Sequence, residues 1–140
     1  MKLSNKGFSL IELLAVISIL GILFGIAVQA YSRYIENTRN QGYDILAESS
    51  ISAFEEYLMD HPFADEVSIE VLHNDKYLDN ISDPGNKGGT CDGLVTITST
   101  EEERGKLKKN SYELKLCCAN KYFSYDSDGG KVEEDACGIE

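Results

Sequence analysis

The fold is decided by the stretch at residues 7–32, GFSLIELLAVISILGILFGIAVQAYS. From Leu13 to Ser32 it contains twenty successive residues without a charge, and the acidic Glu12 stands directly before them. Twenty helical residues rise by about 30 Å, which is the thickness of the hydrocarbon core of a bilayer. The stretch therefore predicts a helix that meets a membrane or a bundle of similar helices.

Two lysines give this helix a direction. Lys2 and Lys6 are, with Glu12, the only charged residues before Arg33. Because basic residues next to a membrane span collect on its cytoplasmic side, we expect the N-terminus in the cytoplasm and the rest of the chain on the far side of the membrane.

The overall composition limits the classes of function. The chain has 140 residues, with 13 Lys and Arg against 24 Asp and Glu, and a net charge of −11. This length suits one small folded domain, and the acidic balance disfavours nucleic acid as a primary ligand. The cationic cluster is Arg104, Lys106, Lys108 and Lys109, for which we expect a solvated loop.

Three kinds of N-terminal signal share a basic start and an apolar run. A secretory signal peptide would be cleaved after small residues such as Val28-Gln29-Ala30, so that the exported chain begins at Tyr31. A plain signal anchor would stay in the membrane uncleaved. Neither explains Glu12, because an ionised carboxylate in hydrocarbon is costly unless it has a partner.

The third kind accounts for Glu12. Residues 6–15, KGFSLIELLA, and residues 19–23, ILGIL, resemble the class III signal of the type IV pilin family, which includes the pseudopilins of type II secretion. The resemblance consists of a short basic leader that ends in glycine, a phenylalanine directly after it, and a glutamate four residues beyond that phenylalanine. The combination, in this order, makes the motif specific.

The resemblance implies a processing step and an assembly step. It implies that a prepilin peptidase cuts between Gly7 and Phe8 and methylates the new amino group of Phe8. It also implies that the Glu12 carboxylate neutralises the N-terminal amine of a neighbouring subunit. Such a pair fixes axial register, because a slipped neighbour leaves a buried charge without a partner.

Two glycines bear on the packing and the flexibility of the helix. Gly21 and Gly25 lie four residues apart on one face, which favours either close helix packing or a locally soft segment. Pilins commonly carry proline at the position held here by Gln29. Since Gln29 keeps its backbone N–H, we expect less kinking there, and whether the glycine segment unwinds stays open.

Helical periodicity continues to His61-Pro62, where proline stops it. We therefore predict one helix from Phe8 to Asp60, about 80 Å long, which the rest of the chain is too small to cover. Its second half carries an apolar stripe. We expect this stripe to contain Tyr31, Ile35, Thr38, Gly42, Ile45, Ser49, Ala53 and Tyr57 and to be widened by Leu46, Phe54 and Leu58.

The remaining chain predicts a small sheet. After a connecting segment with a short helix and an Asp83-Pro84-Gly85 turn, alternating patterns predict strands at residues 94–98, 112–118 and 122–125. The expected fold is α+β, a long N-terminal helix packed on a small antiparallel sheet. We expect a leader at 1–7, an apolar helix at 8–32, an amphipathic helix at 33–61 and a globular part at 62–140.

The strand register predicts the cysteine pairs. An antiparallel pairing that sets Val95 opposite Leu114 also sets Cys91 opposite Cys118, on the core face of the sheet. Cys117 then lies on the other face and is free to reach Cys137. The connectivity that would join the adjacent Cys117 and Cys118 is disfavoured, because adjacent cysteines rarely bond each other. Cys91–Cys117 with Cys118–Cys137 is the second choice, since it does not follow this register.

Chemistry other than assembly has little support in the sequence. Zinc is disfavoured because the cysteines lack a C-x-x-C pair and neither His61 nor His73 lies near them in sequence. Residues 126–130, DSDGG, are typical of a hairpin turn rather than a calcium loop, since no glutamate stands at the twelfth position. We expect no cofactor, no metal and no enzymatic activity.

Two classes of function follow from the resemblance. The first is a structural subunit of a type IV pilus, a homo-oligomeric filament for adhesion, aggregation or twitching motility. The alternative is a pseudopilin of a type II secretion or DNA-uptake system. Either one is expected in the cytoplasmic membrane before assembly, with the prepilin peptidase and the assembly machinery as partners, and the first then forms fibres at the cell surface. Loss of the leader would leave 11 basic and 24 acidic side chains, nearly all outside the membrane.

Overall fold

The computed structural model describes residues 8–101, 109–119, 121–134 and 136–137. The chain divides into two units, Met1–Thr38 and Arg39–Glu140. Helix α1, Leu10–Asp60, contributes to both. The predicted end of the helix is confirmed, whereas its start lies two residues later than predicted because Ser9 caps the first turn.

The second unit contains a five-stranded sheet. Its elements after α1 are β1 (Glu66–Ser68), α2 (Ile69–Asn74), β2 (Asp92–Glu101), β3 (Lys109–Cys118), β4 (Lys121–Asp126) and β5 (Lys131–Glu134). All neighbouring strands are antiparallel, and their spatial order follows the chain. The predicted α+β class is therefore confirmed.

Two of the five strands were not predicted. β1 has three residues, which is too short for an alternation pattern, and its segment was interpreted as a connection that leads to a short helix. That short helix is α2, and the Ser68 hydroxyl caps it by accepting a hydrogen bond from the Val71 N–H at 3.3 Å. β5 reads Lys-Val-Glu-Glu and is exposed throughout, so its sequence has no core face to detect.

Charge and aromatic contacts hold β5 in place. The Lys131 ammonium pairs with the Asp44 carboxylate of α1 and lies 4.5 Å from the centre of the Phe123 ring. Tyr125 of β4 donates a hydrogen bond to the same carboxylate at 3.0 Å. Burial, followed by this hydrogen bond, raises the pKa of Tyr125. Because Asp44 lies 87 residues from Lys131 and β5 itself has no buried face, local patterns did not reveal the strand.

The central register agrees with the prediction. Val95 lies opposite Leu114 and Ile97 opposite Tyr112 in the β2–β3 pair. The register then shifts between Ile97 and Ser99, which marks a bulge. Residues 102–108, which include Arg104, Lys106 and Lys108 of the predicted solvated loop, lie outside the described part of the chain.

The helix face that packs on the sheet agrees with the predicted stripe in part. Leu46, Ala53 and Phe54 of the stripe are buried, whereas Ile45 is 66% exposed and is not part of the core. The Tyr43 ring, which the stripe did not include, lies 5.0 Å from Phe123, and the Phe54 ring lies 5.7 Å from Tyr112. The buried residues of α1 are Tyr43, Leu46, Ala47, Ser50, Ala53 and Phe54. The buried face is therefore displaced toward Tyr43 and away from Ile45.

Asp83 is the buried carboxylate of the described residues. One of its oxygens accepts hydrogen bonds from the Tyr43 hydroxyl at 3.0 Å and the Gly85 N–H at 2.7 Å, and the other accepts from the Ala119 N–H at 3.2 Å. Burial, followed by the hydrogen bond to Asp83, raises the pKa of Tyr43 from 10.0 to about 12. Asp83 therefore joins the helix, the turn before β2 and the end of β3.

Two disulfides close the sheet, Cys91–Cys118 and Cys117–Cys137. They join the pairs that the register favoured. Cys91 and Cys118 are buried against the core, whereas Cys117 is half-buried and Cys137 is exposed. The sequence separations are 27 and 20 residues. Because each closed loop restricts the unfolded chain, a disulfide with a loop of this size stabilises the folded state by about 3 kcal/mol.

We predict that Gly42→Ala destabilises the second unit. A Cβ atom at Gly42 would lie 2.7 Å from Cβ and 2.9 Å from Cγ of Pro84, so the turn must move away from α1. We expect a loss of about 1–3 kcal/mol in the free energy of unfolding, measured by chemical denaturation.

Gly25→Ala is the matched control for this substitution. A Cβ atom at Gly25 meets no atom within 4 Å, so the same change should leave the second unit unaffected and favour the helix. Equal destabilisation by both variants would show that close packing on Pro84 does not explain Gly42.

We also predict that the two disulfides differ in their rate of reduction. A phosphine reductant should open Cys117–Cys137 about tenfold faster or more than Cys91–Cys118, because the latter is reached only through local unfolding. Timed alkylation with peptide mapping measures both rates. In denaturant the rates should converge, and faster opening of Cys91–Cys118 in the folded protein would contradict this account.

Candidate functional site

The first unit exposes apolar side chains on every face of its helix. An 18-residue window of α1 has a mean hydropathy of 2.6, and none of it is buried within the chain. The exposed large residues are Phe8, Leu10, Ile11, Leu13, Leu14, Val16, Ile17, Ile19, Leu20, Ile22, Leu23, Phe24, Ile26 and Val28. By length and composition this helix is able to cross a membrane. A helix that is apolar all round requires surroundings other than water.

The hydroxyl groups in this segment are satisfied locally. The Ser18 hydroxyl donates a hydrogen bond to the Leu14 carbonyl oxygen at 2.7 Å, and the Ser32 hydroxyl donates to the Val28 carbonyl oxygen at 3.1 Å. These bonds follow the i to i−4 pattern of serine within helices. The serines therefore need no external partner in an apolar environment.

Glu12 lies in the first turn of α1. Its backbone N–H donates hydrogen bonds to the Ser9 hydroxyl at 3.2 Å and to the Ser9 carbonyl oxygen at 3.1 Å. Across the described residues, no side chain pairs with the Glu12 carboxylate. The carboxylate is thus held at a defined place on the helix and is available to a group from outside the chain.

Ser9 is a residue that the sequence interpretation missed. Ser9 and Glu12 match the S-x-x-E capping box, in which a serine side chain accepts from the N–H of the third helical residue. That pattern can be read from the sequence, but it lies at the start of the apolar run, which is the dominant signal of this segment. Ser9 fixes where the helix begins and therefore where Glu12 projects.

The predicted processing residues lie at the edge of the described chain. Phe8 is exposed and precedes the helix. Gly7, with the rest of the predicted leader at 1–7, lies outside the described residues.

Gly21 and Gly25 have no neighbours that require glycine. A Cβ atom at either position meets no atom within 4 Å, and α1 is continuous through both glycines and through Gln29. Nothing in the described part of the chain therefore requires glycine at these two positions. The two predicted roles are close packing against another helix and a locally soft segment.

The four predicted disulfide cysteines belong to the second unit, where two of them approach a carboxylate. Asp83, Cys91 and Cys118 form a buried group whose possible ligand atoms lie within 4.8 Å of one another. Because the two sulfur atoms are joined in a disulfide, this group cannot offer thiolates to a metal.

The segment considered for calcium is the turn between β4 and β5, as the hairpin interpretation predicted. One Asp126 carboxylate oxygen accepts hydrogen bonds from the N–H groups of Asp128 at 3.0 Å and Gly130 at 2.7 Å. Gly129 has a φ of 90°, which favours glycine. The Asp126 carboxylate thus stabilises the turn itself.

The cationic cluster cannot be placed. Arg104, Lys106 and Lys108 lie outside the described residues, and Lys109 is described only as the first backbone position of β3.

Comparison with known proteins agrees with the N-terminal motif. Residues 2–28 match a family model described as the prokaryotic N-terminal methylation motif. A type IV major pilin protein of Neisseria gonorrhoeae, PilE1, is 44% identical over 57 residues, which are 41% of this chain and 34% of that protein. The chain thus spans about a third of the length of the Neisseria pilins that it matches.

Two further relatives match over longer stretches. The type IV major fimbrial protein FimA of Dichelobacter nodosus is 42% identical over 71 residues, which are 49% of this chain and 43% of that protein. The fimbrial protein EcpC of Eikenella corrodens is 34% identical over 114 residues, which are 77% of this chain and 70% of that protein. No solved structure matches the chain significantly.

Proposed function

Because the chain belongs to the type IV pilin family, we propose that it is a structural subunit of a type IV pilus and not an enzyme. In this proposal the subunit polymerises through its N-terminal helix into an extracellular filament that serves adhesion, aggregation or twitching motility. The observation that carries the proposal is the helix of the first unit, whose apolar side chains are exposed on all faces next to a methylation motif.

In this proposal the chain has four parts with different roles. A leader at residues 1–7 is removed by the prepilin peptidase, and Phe8 becomes the N-methylated first residue. Residues 8–32 hold the subunit in the cytoplasmic membrane and later form the filament core. Residues 33–61 form the amphipathic half of the helix, and residues 62–140 form the globular part at the filament surface.

Glu12 has a physical task in this assembly. An unpaired carboxylate inside a bundle of apolar helices is unfavourable, and so is an unpaired amine. Pairing Glu12 with the Phe8 amine of a neighbouring subunit removes both penalties at one axial position only. The Ser9 cap supports this role, because it defines the helical turn from which Glu12 projects.

The names of the relatives favour the pilus over the secretion or DNA-uptake alternative. Those relatives are named major pilins and fimbrial proteins. The two functions also predict different phenotypes when the gene is deleted. Deletion should abolish surface fibres if the chain is a pilin, whereas intact fibres with failed secretion or transformation would support the pseudopilin.

We predict that the mature protein begins at Phe8 with a methylated amine. Mass spectrometry of subunits from purified fibres should show the loss of residues 1–7 and the gain of one methyl group. Gly7→Ser should block the cut, since the resemblance assigns the glycine to the cleavage site, while Ser4→Ala should not. A chain that begins at Tyr31 would instead identify an ordinary secretory signal.

We further predict that Glu12→Ala reduces the number of surface filaments by about tenfold or more. Removing one member of a buried charge pair costs about 3–5 kcal/mol, because the other charge is left without a partner. Filaments are counted by electron microscopy, and subunits in the membrane by immunoblot.

Glu48→Ala is the control for this variant. Glu48 is an exposed acidic residue of the same helix in the second unit, so its loss should leave the filament number unchanged. An unaltered filament number in Glu12→Ala, with normal subunit levels, would remove Glu12 from the assembly mechanism.

A further inference from the structure

The apolar run of the first unit ends at a group of polar and aromatic side chains. Tyr31 is 65% exposed and Tyr34 is 67% exposed, and Arg33 between them is exposed as well. The described residues contain no acidic side chain that pairs with Arg33. The Ser32 hydroxyl, in contrast, is bound to the Val28 carbonyl oxygen. The three long side chains are therefore the groups that this part of the helix offers to its surroundings.

These residue types are the ones that membranes hold at their boundary. Tyrosine is enriched at the interface because its ring is apolar and its hydroxyl is polar. Arginine binds phosphate through a planar, permanently charged fork. Tyr31 and Tyr34, three residues apart, project from neighbouring positions on one side of the helix. Together they suit the phospholipid headgroups, which present phosphate directly above hydrocarbon.

The distance from this group to Glu12 matches a bilayer. From Glu12 to Tyr31 there are nineteen residue steps, or about 28 Å along a helix axis. The hydrocarbon core of a bilayer is about 30 Å thick. When Tyr31 lies at one boundary of the core, Glu12 therefore reaches the other boundary.

We propose that Tyr31, Arg33 and Tyr34 form an outer-leaflet anchor, which binds phospholipid headgroups and sets the depth of the helix before assembly. The anchor places Glu12 at the cytoplasmic boundary, where its carboxylate is hydrated, instead of within hydrocarbon. This inference rests on the proposed function, since it concerns the subunit while it is stored in the membrane. It implies that Glu12 becomes buried only when the subunit leaves the bilayer for the filament.

The absence of tryptophan from the chain allows a direct test, because a single introduced tryptophan is then the sole indole fluorophore. Ile17 and Ile26 are 59% and 67% exposed and lie equally far from the midpoint between Glu12 and Tyr31. The two residues are nine positions apart and therefore lie on opposite sides of the helix. A tilt of the helix thus moves both side chains toward the bilayer midplane or both away from it, and their depths stay equal.

The experiment measures the depth of Ile17→Trp and Ile26→Trp in the full chain, reconstituted in phosphatidylcholine vesicles that contain lipids brominated at defined acyl positions. We expect equal depths. Each residue step by which the helix is displaced adds about 3 Å to the difference, because one tryptophan rises as the other sinks. A difference of about 5 Å or more overturns the proposed depth.

Two variants identify what sets the depth. The triple variant Tyr31→Ala, Arg33→Gln and Tyr34→Ala removes the anchor. It also lengthens the apolar run at its outer end. The helix should then slide toward the cytoplasmic side by about two residues, which makes Ile26→Trp deeper than Ile17→Trp by about 6 Å. Glu12→Gln and the control Glu36→Gln should leave the two depths equal. A shift in Glu12→Gln, or none in the anchor variant, would overturn the role of the anchor.

Failure of the proposed function has a different signature in the same samples. If the chain does not float with the vesicles and both tryptophans stay unquenched, the membrane stage of the proposed pilin is itself refuted. If the chain inserts with unequal depths, only the anchor is refuted.

Discussion

The constraint on which this protein depends is the apolar surface of its first unit. The side chains from Phe8 to Val28 are not covered by any of the described residues, and backbone and serine groups in the segment are satisfied by the helix itself. Such a helix is stable only when another apolar medium surrounds it. Bilayer and helix bundle both provide that medium, and the proposed function uses the first before assembly and the second in the filament. Glu12 is the exception in this surface, and in that proposal its charge makes the change of medium specific.

The second unit is stabilised in a different way, which suits a surface that carries most of the acidic charge. A small sheet buries a limited apolar area, so covalent and polar contacts contribute a large share of its stability. Asp83 ties the helix, a turn and the end of β3 through three hydrogen bonds, while two disulfides close the sheet beside it. Lys131 and Asp44 hold the charged edge strand on the helix. The outer face can therefore be strongly acidic without loss of the fold.

Much of this architecture could be predicted because its signals are local or strictly periodic. The helix end follows from proline, the β2–β3 register follows from alternation, and that register brought the favoured cysteine pairs together. The predictions that failed concern elements defined by distant partners. β5 has a charged, exposed sequence, and its contact with α1 is made to Asp44, which lies 87 residues away. The predicted stripe was right at Leu46, Ala53 and Phe54 and wrong at Ile45, because Tyr43 packs on Phe123 and the buried face lies on that side of α1.

The sequence by itself determined that a long apolar run within a methylation motif carries one acidic residue near its start, because charge, length and motif are properties of consecutive residues. It also determined the α+β class through the change from helical to alternating periodicity. Tertiary structure alone decided that Tyr43 and not Ile45 belongs to the buried face of the helix, that Asp83 is the buried carboxylate, and that β1 and β5 complete the sheet. These features depend on partners distant in sequence, and the free energy of such contacts exists only once the chain has brought them together.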